Sequence, residues 1–221
     1  MMGGQLSAPA CAIEHPFFAR MYPRFAAQAD ERGQAEHRRK LLDGITRRVV
    51  EVGAGNGRNF RHYPASVSEV VAVEPEPRLR ELAESEAASA CVPVRVVAGE
   101  AAALPLEDES FDVGVASLVL CSVAEQAEAL AELRRVIRPG GELRFYEHVV
   151  SPSARLARMQ RLADRLFWPR LGAGCHCSRD TQLVIKASGF EVESCRRLEF
   201  KPSVLIGSWT KPHILGVARR A

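Results

Sequence analysis

With 221 residues, 47% of them hydrophobic, the chain has material for one domain with a sizeable core. Its 30 basic and 27 acidic residues are interleaved, which leaves a net charge of +3 and no sustained basic stripe, and this argues against a nucleic-acid partner. The longest apolar run, around Val113 to Leu120, falls far short of the ~20 residues of a membrane span, and six cysteines lack the spacing of a small secreted scaffold.

Glu14, His15 and Arg20 interrupt any signal-like stretch near the N-terminus, so the expectation is a cytoplasmic protein with reduced thiols. Residues 1–46 read as a helical cap, with "HPFFARMYPRF" and "ADERGQAEHRRKLLDGI" mixing apolar and charged residues at helical spacing. From Arg48 short β-branched runs alternate with Ala-, Glu- and Arg-rich segments. Strands are predicted at Val49 to Val52, Val70 to Val73, Val94 to Val97, Val113 to Ser117 and Leu143 to Tyr146. Helices such as "PRLRELAESEAASA" and "AEQAEALAELRRVI" lie between them, and "LRRVIRPGGELRFYEH" reads as a helix ending at Pro139-Gly140-Gly141 before the next strand. After residues 47–150 come the helix "ARLARMQRLADRLFW", a Gly- and Cys-rich loop, a helix ending near "KASGF", and two further strands, "FEVESCRRLEF" and "HILGVARR". The fold class predicted is α/β, a doubly wound, mostly parallel seven-stranded sheet in a single domain over 1–221.

A fold of this kind binds its ligand at the carboxyl ends of the strands, so the loop after the first strand, "VVEVGAGNGRNF", is where function is read first. Gly53, Gly55 and Gly57 miss the dinucleotide spacing by one residue, and no Gly-Lys-Ser/Thr follows to make a P-loop. The spacing matches the E/D-x-G-x-G-x-G loop of S-adenosylmethionine-dependent methyltransferases, with Glu51 as the acid. A carboxylate there suits a donor that carries a sulfonium and an ammonium and has no phosphate.

Further features follow in order. "VVAVEPEP" ends the second strand on Glu74 and Pro75, where an acid can accept ribose hydroxyls. "VVAGEAAALP" offers Gly99, Glu100 and Ala101 beside the expected adenine, with Leu104 as apolar cover. "DESFDVGVASLVLCSV" leaves a buried strand on small residues, Ser117 among them, that permit close approach to the methionine part.

Together these residues resemble the ordered motifs of the class I S-adenosylmethionine-dependent methyltransferases from about Arg48 to Glu147. Nearly the whole chain is similar to the methyltransferase-like alkyl-thiol methyltransferase type, through "LVLCSV", "RPGG", "EHV", "GC" followed by "SRD", and "PHILG". The resemblance implies methyl transfer from S-adenosyl-L-methionine to a small-molecule acceptor, a thiol or sulfide being favoured, with S-adenosyl-L-homocysteine as product. It implies that Gly53, Ala54, Gly55, Gly57 and Asn59 line the methionine and ribose, Glu74 the ribose, Glu100 and Ala101 the adenine, and Ser117 and Leu118 the edge of the fourth strand. At its N-terminus the sequence reads as a departure from the microsomal members, and their hydrophobic leader is not expected. Alternatives in the residues themselves are a C-, O- or N-methyltransferase of a natural product, quinone or lipid, and a non-catalytic S-adenosylmethionine-binding module.

Transfer from a sulfonium is an in-line displacement with a good leaving group already in place, so the protein mainly aligns the acceptor. A thiol acceptor, with an ordinary pKa of about 8.5, gains from a base. His148 in "FYEHVV", just past the fifth strand, is the candidate. Cys121, Trp168, His176 and His213 are candidates for the acceptor pocket, which the N-terminal helices and Pro152 to Cys177 are expected to cover. Cys175, His176 and Cys177 in "GAGCHCSRD" are good ligand types, but a tetrahedral metal site needs four and no second Cys/His pair at ligand spacing accompanies them. No metal is expected.

Overall fold

β1 (Arg47–Val52), β2 (Val67–Val73), β3 (Val94–Val97) and β4 (Phe111–Ser117) pair in parallel; the valine-rich runs of β1, β2 and β4 are buried on both faces, while β3, at the edge of the sheet, is half-buried. The structure, a computed structural model, describes residues 15–201 and 207–221; the first fourteen residues, on which the expectation about a leader rests, and Cys11 with them, lie outside the described residues. β5 (Ile137–His148) continues the parallel set, and β6 (Phe190–Glu199) and β7 (Pro212–Arg220) complete a seven-stranded sheet of order β3-β2-β1-β4-β5-β7-β6. β7 runs antiparallel between β5 and β6. The strand order reverses between β1 and β4, which opens a crevice above their carboxyl ends.

The two-residue period divides the core into two layers. Val50, Val52, Val71 and Val73 point to the face covered by α4 (Gln126–Val136) and α7 (Thr181–Ala187). Val49, Val70, Ala72, Val113 and Val115 point to the face covered by α2 (Ala35–Leu42) and α3 (Pro77–Ala87). α4 buries Ala129, Leu130, Leu133 and Val136, the i, i+1, i+4, i+7 stripe of an amphipathic helix. α3 starts on Pro77, with the Glu76 carboxylate accepting the Leu79 N–H at 2.7 Å as its cap.

Four local features refine the sequence reading. The N-terminal cap is two helices, α1 (Pro16–Ala29) and α2, joined by Asp30–Gln34, where Gly33 takes φ 112°. The glycine loop is followed by a single 3₁₀ turn, Phe60–His62, because Tyr63 turns extended ahead of Pro64. α4 ends at Val136, so Pro139-Gly140-Gly141 is a bulge inside a longer β5, where the register to β4 slips between Phe111↔Ile137 and Val113↔Glu142. The helix after Ser151 breaks at Phe167 into α5 (Ala154–Leu166) and the short α6 (Trp168–Leu171). Among the described residues no helix is long and apolar enough to cross a membrane.

Candidate active site

The crevice above β1, β2 and β4 is a cleft of about 530 Å³. Its floor is Gly53 and Gly55; one wall is Glu74, Pro75, Glu76 and Leu79, another Glu100 and Ala101, and a third Leu118, Val119, Ser122 and Val123. Phe18 and Tyr22 of α1 close it above, and Gly174, His176 and Arg179 close the far end. Of the sequence-predicted residues, the cleft therefore gathers Gly53, Gly55, Glu74, Pro75, Glu100, Ala101, Leu118 and His176. Ala54, Gly57 and Gly99 do not line it.

The glycine loop is stitched to the neighbouring strand, with Gly53 N–H and Ala54 N–H both donating to the Val73 carbonyl at 2.8 and 3.2 Å. Gly53 sits at φ 61°, and a Cβ there would lie 2.3 Å from the Val119 side chain. A Cβ on Gly55, at φ 58°, would meet the Tyr22 ring at 3.1 Å, so only glycine allows α1 to lie so close over the loop.

Glu74 is almost fully buried, and its carboxylate accepts Gly55 N–H at 2.7 Å and Glu76 N–H at 3.0 Å. Burial raises its pKa against those two hydrogen bonds. One oxygen is engaged on each side, leaving acceptor capacity for hydroxyl donors in the cleft.

Glu51 does not face the cleft. It is 2% exposed and accepts Asn59 Nδ2–H at 2.8 Å and Tyr63 O–H at 2.7 Å; burial lifts its carboxyl to about 7 despite both bonds. Asn59 in turn accepts from Arg38 Nη1 at 2.9 Å, and the same guanidinium reaches Ser117 Oγ at 3.3 Å and Asp30 at 3.2 Å. Glu51, Asn59 and Ser117 are thus joined behind the loop by a buried arginine of the cap, a residue the sequence reading missed because its partners lie on three other segments.

A second missed residue is Glu147, just before His148. It is fully buried at the end of β5 and accepts the N–H groups of Val119, Leu120 and Cys121 at 3.1, 2.9 and 3.0 Å. Burial raises it to about 7 against those three bonds. This clamp shapes the loop after β4, where Leu118 adopts φ 60° and donates its N–H to the Tyr146 carbonyl at 2.7 Å.

The segment 172–179 docks on that same loop. His176 N–H donates to the Cys121 carbonyl at 2.7 Å, Gly174 passes so close that a Cβ would lie 2.5 Å from the Ser122 carbonyl oxygen, and Arg179 donates to the carbonyls of Leu120, Val123 and Ala124. Behind it, buried Gln160 of α5 donates to the carbonyls of Val149, Cys177 and Trp209, each at 3.0 Å.

Docking brings the remaining predicted residues together one position behind the cleft wall. His148 Nδ1 lies 3.4 Å from Cys121 Sγ and 3.6 Å from Cys175 Sγ, and the two sulfurs are 3.8 Å apart. Cys177 Sγ is 3.9 Å from Cys175 Sγ, and Trp168 and Trp209 pack over the three cysteines. The His148 ring rests 4.4 Å from that of His213, which is fully buried, stacks with the Tyr146 ring, and donates its Nδ1–H to the Lys211 carbonyl at 2.9 Å. Burial pushes the His148 imidazole down to about 4, so it is a weak base and stays neutral near pH 7. The ligand arithmetic of the sequence looked for pairs close in the chain; the fold instead draws Cys121, His148 and Cys175 from three segments to within 4.8 Å of one another.

Known proteins resemble this chain over most of its length. A family model described as a methyltransferase domain matches residues 50–145. The chain is 34% identical to thiol S-methyltransferase TMT1B of Mus musculus, over 95% of this chain and 87% of that protein. It is 36% identical to the Homo sapiens protein of the same name, over 81% and 74%. Its fold is similar to that of a solved Thermotoga maritima structure, a SAM-dependent methyltransferase described as a possible histamine N-methyltransferase, with a TM-score of 0.68 at 24% identity, covering 92% and 98% of the two chains. With 34% identity to the Mus musculus protein over nearly the whole of both chains, the chain belongs to the class I S-adenosylmethionine-dependent methyltransferases.

Proposed function

We propose that this methyltransferase moves the methyl group of S-adenosylmethionine to the sulfur of a small, largely apolar thiol, releasing S-adenosyl-L-homocysteine and a methyl thioether. The observation that carries the reading is the extent of the likeness to relatives named thiol S-methyltransferases, which spans 95% of the chain and so includes the acceptor-side loops as well as the donor core. The cleft agrees in character: Phe18, Leu79, Leu118, Val119 and Val123 line it with apolar surface.

In this reading Glu74 accepts the ribose hydroxyls, the backbone at Gly53 and Gly55 lies beside the methionine part, and Glu100 and Ala101 flank the adenine. α1 and residues 172–176 cover the acceptor. The protein's contribution is alignment and exclusion of water, since the leaving group is neutral once the methyl departs. The test is incubation of the purified chain with methyl-labelled donor and a panel of short, long and aryl thiols beside hydroxyl, amine and quinol acceptors. S-methyl products are expected. Label appearing only on carbon, oxygen or nitrogen would overturn the sulfur assignment.

A further inference from the structure

Behind the wall of the cleft stand two thiols and an imidazole that the donor site does not use. Tetrahedral zinc, with Zn–S of about 2.3 Å and Zn–N of about 2.0–2.1 Å, sets two sulfur ligands about 3.8 Å apart and a sulfur and a nitrogen about 3.5 Å apart. The three distances here, 3.8 Å for Cys121–Cys175 and 3.4 and 3.6 Å for their approaches to His148 Nδ1, match that figure edge by edge.

We infer that Cys121, Cys175 and His148 form a zinc site of three protein ligands whose fourth position takes the thiolate of the acceptor. Cys177, although 3.9 Å from Cys175, falls outside the mutually close set, so the protein supplies three ligands and leaves the fourth open, the pattern of catalytic rather than structural zinc. Two thiolates and a neutral imidazole are soft-to-borderline donors that suit zinc over magnesium or calcium. The surroundings hold the ligands in place: Glu147 fixes the Cys121 backbone, the Cys121 carbonyl takes the His176 N–H beside Cys175, and the His213 ring backs His148.

The location supports the fourth ligand. Ser122, next to Cys121, and Gly174 and His176, on either side of Cys175, line the cleft, so the cation would stand directly behind the wall that these residues form. Zinc binding converts the acceptor thiol to thiolate, its proton passing to solvent. The thiolate lone pair then forms the new S–CH₃ bond while the bond from the donor sulfur to the methyl breaks, and that electron pair stays on the donor sulfur. The product is a neutral thioether, a weaker ligand than the thiolate, and it leaves. The metal site stands apart from the thiol reading, whereas the assignment of its fourth position rests on it.

The full chain, purified reduced and stripped by a chelator, is titrated with zinc against a chromophoric competitor, and separately with cobalt(II). One equivalent of zinc is expected, with a cobalt spectrum showing thiolate charge-transfer and the intense visible bands of a tetrahedral ion. Cys121→Ser, Cys175→Ser and His148→Gln should each weaken zinc by more than about 100-fold, beyond what loss of an outer-shell partner gives, while Cys91→Ser and Cys177→Ser keep the equivalent. Ethanethiol added to the cobalt protein should add charge-transfer intensity. Absence of stoichiometric zinc in the reduced wild-type chain, or retention indifferent to Cys121 and Cys175, overturns the site. Dependence on Cys177, or a cobalt spectrum blind to ethanethiol, overturns the open position. Full thiol turnover by the stripped chain overturns the metal's role and leaves the thiol reading intact; tight zinc with methylation of carbon, oxygen or nitrogen alone overturns the thiol reading and leaves the metal.

Discussion

The Glu74 carboxylate accepts the Gly55 N–H at 2.7 Å, so the acid at the end of β2 and the loop at the end of β1 form one unit before any donor arrives. Glu74→Ala removes the loop contact and, in the proposed binding mode, an acceptor for ribose hydroxyls. Donor affinity measured by calorimetry should fall by about 1–3 kcal/mol, the cost of abandoning buried hydrogen bonds. Unchanged affinity would show that the donor lies in another register.

Glu147→Ala tests the clamp on the loop after β4. It strands three N–H groups, those of Val119, Leu120 and Cys121, in a buried place. A loss of stability on the order of 3 kcal/mol or more is expected in urea unfolding. A change smaller than ~0.5 kcal/mol would mean that water reaches those groups.

Arg38→Met tests the link between cap and donor loop. Arg38 is 4% exposed and holds Asp30, Asn59 and Ser117 together. Removing one partner of a buried charged network costs about 3–5 kcal/mol. Part of that loss should appear as faster amide exchange in α1 and α2, and exchange confined to the sheet would contradict the link.

The pH dependence of stability should carry a component from Glu51. Its folded-state pKa, about 7, lies above its unfolded value because burial outweighs the bonds from Tyr63 and Asn59. The folded chain therefore binds the extra proton between the two values. Stability from this group is full below the unfolded pKa and declines as pH rises through about 7. Glu51→Gln should flatten that decline, so that the difference between variant and wild type in urea melts grows in the variant's favour from about pH 5 to about pH 8. Parallel curves would sink the assignment.

The donor half was legible because its signals are local. β-branched runs, glycines at a fixed spacing and acids at strand ends stand within a few residues of one another, and Gly53, Gly55, Glu74, Glu100 and Ala101 all line the cleft. Arg38, Glu147 and Gln160 were illegible for the opposite reason: each is a buried polar side chain whose partners come from distant segments, and nothing in its immediate neighbourhood marks it. Glu51 shows a third case. Its position beside the glycines was clear, but alternation along β1 turns its carboxylate away from the cleft and into the layer beneath α2.

The antiparallel strand β7 has a consequence for how the molecule comes together. It occupies the interior place between β5 and β6, so β6 has no other strand to pair with and the outer face of β5 has no cover until β7 arrives. The parallel strands of the donor half need only the segments between Arg47 and Ser117. A chain emerging from the ribosome can thus pair β1 to β4 while His148 still lacks the His213 ring behind it. The far side of the sheet is completed only when a single late strand slots in between two earlier ones.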